Sequence, residues 1–431
     1  MNGRKIQKSV NNFALRGIIF KVKKKWKAGK IMEPVLTLKE KRKAIIVWVV
    51  TVVLATAIVY FGNFYAGAGL SLFVNNDLVS EAVVLSISSE EVEKYNISGA
   101  ELENVTVHFE CEILDGPYVG RTVTATQSID RLYGEKGIKS VDEGDNIFLL
   151  YGQAVDGSAD WYFLEYKRID KIMLLCLLFF VLILIFGKLK GINTILSLGY
   201  TCAYVFLVFV PAVLNGYDIY LHATLTCLYS IAVTLVLLNG WSTKSLTTAV
   251  GCVLGVLAAG AITIVMDKAL MLSGFTDEHA IHLVMLNARN PIDLRAITFA
   301  TIMIGALGAV MDVAMDLSSA LYEIQVNAPN ISFKRMVKSG FAIGRDTMGT
   351  MANTLVLAYI GSSLCSVLLL FTYTSSFADM MNKEGIIVEI LQAIAGSTAI
   401  LLTMPATVFT CAFFYVTRNH RKKQEKEQAL E

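Results

Sequence analysis

The sequence predicts an α-helical polytopic membrane protein of about eight transmembrane helices. One small extracytoplasmic all-β domain, an OB-like barrel, is expected between helices 1 and 2. Three observations carry this expectation. Of the 431 residues, 55% are hydrophobic and 17% charged, and the mean hydropathy of +0.56 is far above that of a soluble domain of this length. Apolar runs recur at 44–62, 170–187, 193–214, 219–239, 246–268, 297–321, 347–372 and 386–416. Each is long enough to cross a hydrocarbon core, which takes about 20 helical residues. Only between the first two does the pattern change, to short alternating, β-branched runs.

Residues 1–43 hold 14 Lys/Arg against 2 Glu and read as a basic cytoplasmic segment. They abut an apolar run, so topology signalling and attraction to lipid explain them better than nucleic acid does. The run 44–62 is longer and later than the core of a signal peptide, and is read as an uncleaved signal anchor, helix 1.

Residues 63–168 form the extracytoplasmic domain. Strands are expected at Glu81–Ser88, Leu102–Ile113, Tyr118–Ser128, Asn146–Ala154 and Trp161–Tyr166. Turn signals separate them: DGP at 115–117, YGEKG at 133–137, EGDN at 143–146 and DGSAD at 156–160. Five short strands with glycine-rich turns suit a closed barrel whose core takes Val105, Val107, Val123, Ile147 and Leu149. The domain is net acidic, without a basic stripe among aromatics, so no nucleic-acid partner is expected.

Residues 169–416 supply the remaining seven helices, and 417–431 a basic cytoplasmic tail. Lys188, Lys190, Lys244, FKRMVK (333–338) and the tail fall on one side, while NGYD (215–218), TDEHAIH (276–282) and FADMMNKEG (377–385) are poorer in base. By the positive-inside rule both termini are cytoplasmic. Ser332–Phe341 looks like an interfacial helix leading into helix 7. Helix 8 is long, with Glu389 and Gln392 near its outer end and Pro405 inside. Six of the 7 cysteines lie in apolar runs and Cys111 stands alone in the β domain, so neither a disulfide nor a metal site is expected.

Ionised residues inside apolar runs single out helices 6 and 7, because a carboxylate at mid-bilayer costs about 2.5–3.5 kcal/mol even on insertion scales. Gly305, Gly308, Asp312, Asp316, Ser319 and Glu323 follow at helical steps and form one stripe. Asp346, Gly349, Thr350 and Asn353 form a second, with Arg345 as a counter-ion. The functional reading is a cation or proton site between the two helices. The structural reading makes Asp346 an N-cap of helix 7, with Asp316 and Glu323 reaching cytoplasmic water. Gly251 and Gly255 read as a packing seam, and His279 and His282 as interfacial residues. No HExxH, GxSxG or Walker A motif occurs. An intramembrane aspartyl protease would need a GxGD, which is absent, and Tyr217-Asp218 sits in a loop. No enzyme and no cofactor is expected.

The blocks GALGAVMDVAM (305–315) and SGFAIGRDTMGTMANTLVLAYIGSSL (339–364) resemble the YibE/F-like family of bacterial multi-pass membrane proteins. The resemblance extends from about residue 65 to 416, including the GPYVGRTV turn (116–123) of the β domain. It implies that Gly305, Gly308, Asp312, Gly340, Gly344, Arg345, Asp346, Gly349, Asn353 and Thr354 are motif positions. Asp316 departs from the pattern, where the resemblance implies a small hydroxyl residue.

The expected function is a secondary transporter or permease of the bacterial cytoplasmic membrane, acting on an unidentified small solute or ion. The alternative is a non-transporting assembly or sensory component whose domain 63–168 binds a cell-envelope partner. Membrane lipid is the shared partner, and the oligomeric state is open.

Overall fold

The computed structural model describes residues 38–68, 78–97, 100–130, 139–153, 159–276, 278–286, 292–373 and 376–428. The basic segment up to residue 37, the YGEKG turn, most of DGSAD and Asp277 lie outside the described residues.

The chain opens with helix α1 (Leu38–Ala66), whose residues Ala55, Val59 and Ala66 are buried. Strands β1 (Val79–Ile97), β2 (Ala100–Ile113), β3 (Thr122–Asp130), β4 (Asn146–Gln153) and β5 (Ala159–Tyr166) follow, closed into a barrel in the order β1-β2-β3-β5-β4. All neighbours are antiparallel except β3 and β5, which run parallel. Closure gives every strand of the barrel two neighbours. Alternation places Val84, Val105, Val107, Phe109, Cys111, Ile113, Ile147 and Leu149 inside, all buried, while Val123 is half-buried against them. Bulges at Val84/Ser86 and Ile87/Ser89 bend β1. Beyond them β1 and β2 continue together as an acidic ribbon, exposed at Ser89–Lys94 and longer than the sequence pattern suggested.

Helix α2 (Ile169–Tyr204) breaks at Lys188, at φ 50° and ψ −128°. A Cβ on Gly191 would stand 2.5 Å from the Ile183 carbonyl oxygen. Eight residues of straight helix would separate such atoms by about 12 Å. The chain therefore folds back on itself at Lys188. A π-turn (Val205–Phe209) then leads into α3 (Val210–Leu214), and the shifted ladder accommodates Pro211, which has no N–H to give.

The remaining helices are α4 (Ile219–Asn239), α5 (Thr243–Ala269), α6 (Glu278–Leu286), α7 (Leu294–Asn327), α8 (Phe333–Ser362), α9 (Leu364–Tyr373), α10 (Phe377–Met381) and α11 (Glu384–Gln428). Side-chain caps start several of them. Asp218 accepts from Leu221 N–H at 2.7 Å, Ser242 from Ser245 N–H at 3.2 Å, and Asp293 from Arg295 N–H at 3.0 Å. Gly240, at φ 66°, ends α4. Helix α11 packs along α5, α7 and α8; α7 also meets α4 and α5, and α2 lies against α4.

Six elements are long and apolar enough to cross a membrane: Arg42–Ala66, Ile169–Leu214, Ile219–Asn239, Thr243–Ala269, Leu294–Asn327 and Glu384–Thr417. With Leu174, Leu175, Phe186 and many like them exposed on α2, the chain is a multi-pass membrane protein. The expected interfacial helix at 332–341 is not a separate element. It runs unbroken into α8, which ends only at Ser363, because Gly344 serves helix packing and creates no break.

Candidate functional site

The core is sealed by small residues meeting hydroxyls. On α5, a Cβ on Gly251 would overlap Thr407 Oγ1, and one on Gly255 would overlap Thr403 Oγ1. The two threonines are one turn apart on α11 and fully buried, so the seam read from sequence is a close helix crossing. Next to it lies a cluster the sequence reading missed. Thr247, Ser318 and Tyr415, from α5, α7 and α11, meet at 3.0 Å (Thr247–Ser318), 3.2 Å (Thr247–Tyr415) and 3.0 Å (Ser318–Tyr415). All three are buried. Each hydroxyl answers another, so the triad ties three helices without an unsatisfied polar group.

Helix α8 uses a narrow inner face. Gly344 sits where a Cβ would stand 2.5 Å from Met404 of α11 and 3.5 Å from Leu317 of α7; Gly340 packs likewise on Val408 at 2.7 Å and Leu321 at 3.3 Å. Toward the other end, a Cβ on Gly305 would stand 2.6 Å from the Tyr359 hydroxyl. These contacts set α7 and α8 antiparallel, with Asp316 level with Arg345 and Asp312 level with Gly349.

Every charged candidate lies on the opposite, outer faces. Asp312 and Asp316 on α7 are exposed, as are Arg345, Asp346, Thr350 and Asn353 on α8. The buried side of α7 is Met303, Ala306, Val310, Val313, Leu317 and their neighbours. Among the described residues, Arg345 forms no ion pair with Asp312, Asp316 or Asp346. Asp346 lies well inside α8 and caps nothing. Gly308 and Gly349 face open space, with nothing within 4 Å of an added Cβ. Of the five glycines among the motif positions, Gly305, Gly340 and Gly344 make close packing contacts within this chain among the described residues.

A cleft of about 300 Å³ opens between α7, α11 and the α8–α9 junction. Its polar lining includes Thr298, Thr301, Ser363, Ser366, Glu389 and Gln392. The signal was present in sequence as three polar pairs, each at i,i+3 and so on one helical face. Beside it the Tyr359 hydroxyl is buried, with the Gln392 amide as its polar neighbour. The neighbouring turn is held by Glu384, which accepts from Ser273 N–H at 2.7 Å, Gly274 N–H at 2.5 Å and Ser273 Oγ at 2.7 Å.

A larger cleft of about 810 Å³ lies at the foot of the barrel. Lys139 pairs with Asp142 and Asp145, both at 2.9 Å, Arg168 with Glu165 at 2.7 Å, and Lys167 with Glu81. Burial alone would raise the Asp145 carboxyl, yet the Lys139 and Asp142 hydrogen bonds hold it below the ordinary carboxylate value.

The family model described as YibE/F-like protein matches residues 175–417, more than half of the chain. The chain belongs to the YibE/F-like family. The match begins inside α2, so the YibE/F-like region comprises the helices with the stripes and the cleft lined by Glu389 and Gln392. The barrel, which the resemblance was expected to include, lies outside it. No curated protein and no solved structure matches the chain.

Proposed function

We propose that this YibE/F-like chain is a secondary transporter or permease of the bacterial cytoplasmic membrane, acting on a small solute or ion. The observation that carries the reading is Asp312. It stands mid-way along an apolar helix, exposed and without an ion pair among the described residues. A carboxylate at that depth is tolerated when it faces water, a partner or a cation, or takes up a proton, and coupled transport uses such a group. The cleft with Glu389 and Gln392 supports an entrance on the outer side.

Eight spans follow if the fold-back at Lys188 divides Ile169–Leu214 in two and α8 with α9 makes a further crossing. Lys188, Lys190, Lys244 and Lys334–Lys338 then share the cytoplasmic side with both termini. The OB-like reading of the barrel is supported by its strand order and the parallel β3–β5 pair. The acidic ribbon of β1 and β2 favours a second reading, in which residues 63–168 dock a cell-envelope partner and the chain assembles without transporting.

Asp312→Asn separates the two. Lacking an ion pair, the carboxylate can be neutralised at little cost to the fold, so the variant keeps its melting temperature in detergent. In liposomes loaded with a pH-sensitive dye, wild-type protein should couple imposed ion gradients to proton movement and the variant should not. A variant that melts normally and supports the same flux would remove Asp312 from the mechanism.

A further inference from the structure

The outer faces of α7 and α8 differ in charge. Along α7 the exposed stripe is acidic: Asp312, Asp316 and Glu323. Along α8 the exposed bases are Lys334, Arg335, Lys338 and Arg345, with Asp346 the acid among them. The inner contacts set the register between the two stripes. Leu317 faces Gly344 and Leu321 faces Gly340, so Asp316 is level with Arg345 and Glu323 is level with Lys338. None of these four forms an ion pair within the chain among the described residues. The chain thus carries acids and bases at matched depths that do not meet.

We propose that a second copy of this chain covers this face. A twofold axis along the membrane normal leaves every residue at its own depth. Asp316 of one copy then reaches the partner's Arg345, and Glu323 reaches the partner's Lys338. Symmetry forms each pair twice. Gly308 and Gly349, which have open space in front of them, let the helices of the two copies approach closely, as small residues do between membrane helices. The same contact removes ionised side chains from lipid, where they are costly. Charge complementarity at equal depth favours a second copy over an unrelated membrane partner, because one chain carries both halves of each pair. The face also carries Asp312, but the inference concerns assembly and its test reads dimerisation, not flux.

The test uses the full chain with its 7 cysteines replaced. One tagged copy carries Asp316→Cys and a differently tagged copy carries Arg345→Cys, co-expressed and treated in membranes with a flexible bis-maleimide. A mixed dimer carrying both tags is expected, whereas Ile264→Cys, exposed on α5, should give none. Adducts no more abundant than with Ile264→Cys, or of a mass that is not twice the chain, would overturn the proposal. Charge exchange provides the second arm. Asp316→Arg or Arg345→Asp alone should weaken the dimerisation constant by about tenfold, corresponding to about 1.4 kcal/mol. The double exchange should restore it. A double variant no more dimeric than the singles, while wild type dimerises, would likewise overturn it.

Discussion

Cys111 faces the barrel interior between Val84 and Val123 of the flanking strands, with its thiol directed at the Val123 carbonyl at 3.5 Å. Burial pushes that thiol up to about 12, against an ordinary value of about 8.5. Above roughly pH 8.5 the unfolded chain releases this proton while the folded barrel keeps it. The folded state then binds more protons, and stability falls as pH rises from there toward about 12. Cys111→Ala should flatten the alkaline arm of the melting profile. In the folded wild type the thiol should resist iodoacetamide at pH 8; rapid labelling there would mean that the barrel interior is open. The charged candidates teach a different lesson at this scale. Asp312, Asp316, Arg345 and Asp346 stand on helix faces turned away from the core, and none of them forms an ion pair among the described residues.

Among the elements, the α5–α11 crossing is the tightest joint. Gly255 meets Thr403 of α11 and, at 2.9 Å from an added Cβ, Val310 of α7. In a free helix Gly→Ala gains up to about 1 kcal/mol. Here the methyl group must displace both neighbours, and overpacking of this sort costs about 1–3 kcal/mol. Gly255→Ala should therefore lower the melting temperature in detergent, and Gly255→Ala with Thr403→Ala should recover part of the loss. A single variant that melts at or above wild type would show that the seam has slack. Helix α8 illustrates the opposite economy. It holds the bundle by Gly340 and Gly344 and leaves its polar side uncovered within the chain.

At the scale of the molecule, the barrel has a closed strand order and a buried core of its own. Residues 75–167 expressed alone should give a β-rich circular dichroism spectrum and a cooperative melt; a helical or unfolded spectrum would reject an autonomous domain. The proposed placement of that domain outside the cell rests on the distribution of bases among the loops. With native cysteines removed, Ser140→Cys should react with an impermeant maleimide in intact cells. Labelling only after permeabilisation would invert the topology.

Period and composition were sufficient for much of this architecture. The apolar runs, the five strands and the interior positions Val105, Val107, Ile147 and Leu149 follow from local patterns, because a strand shows its buried face at every second residue and a span must be apolar for its full length. The stripe of Asp312 and Asp316 was legible for the same reason, since helical spacing alone puts them on one face. Which way that face points was not, because a helix in a membrane can turn a polar stripe inward or outward with the same sequence. Contacts distant in the chain decided it: Leu317 on Gly344, Leu321 on Gly340, and Tyr359 over Gly305. The fold-back at Lys188 and the meeting of Thr247, Ser318 and Tyr415 were likewise decided only in three dimensions. Hydroxyls spread over three helices have no shared period in sequence, and only packing brings them within hydrogen-bonding reach.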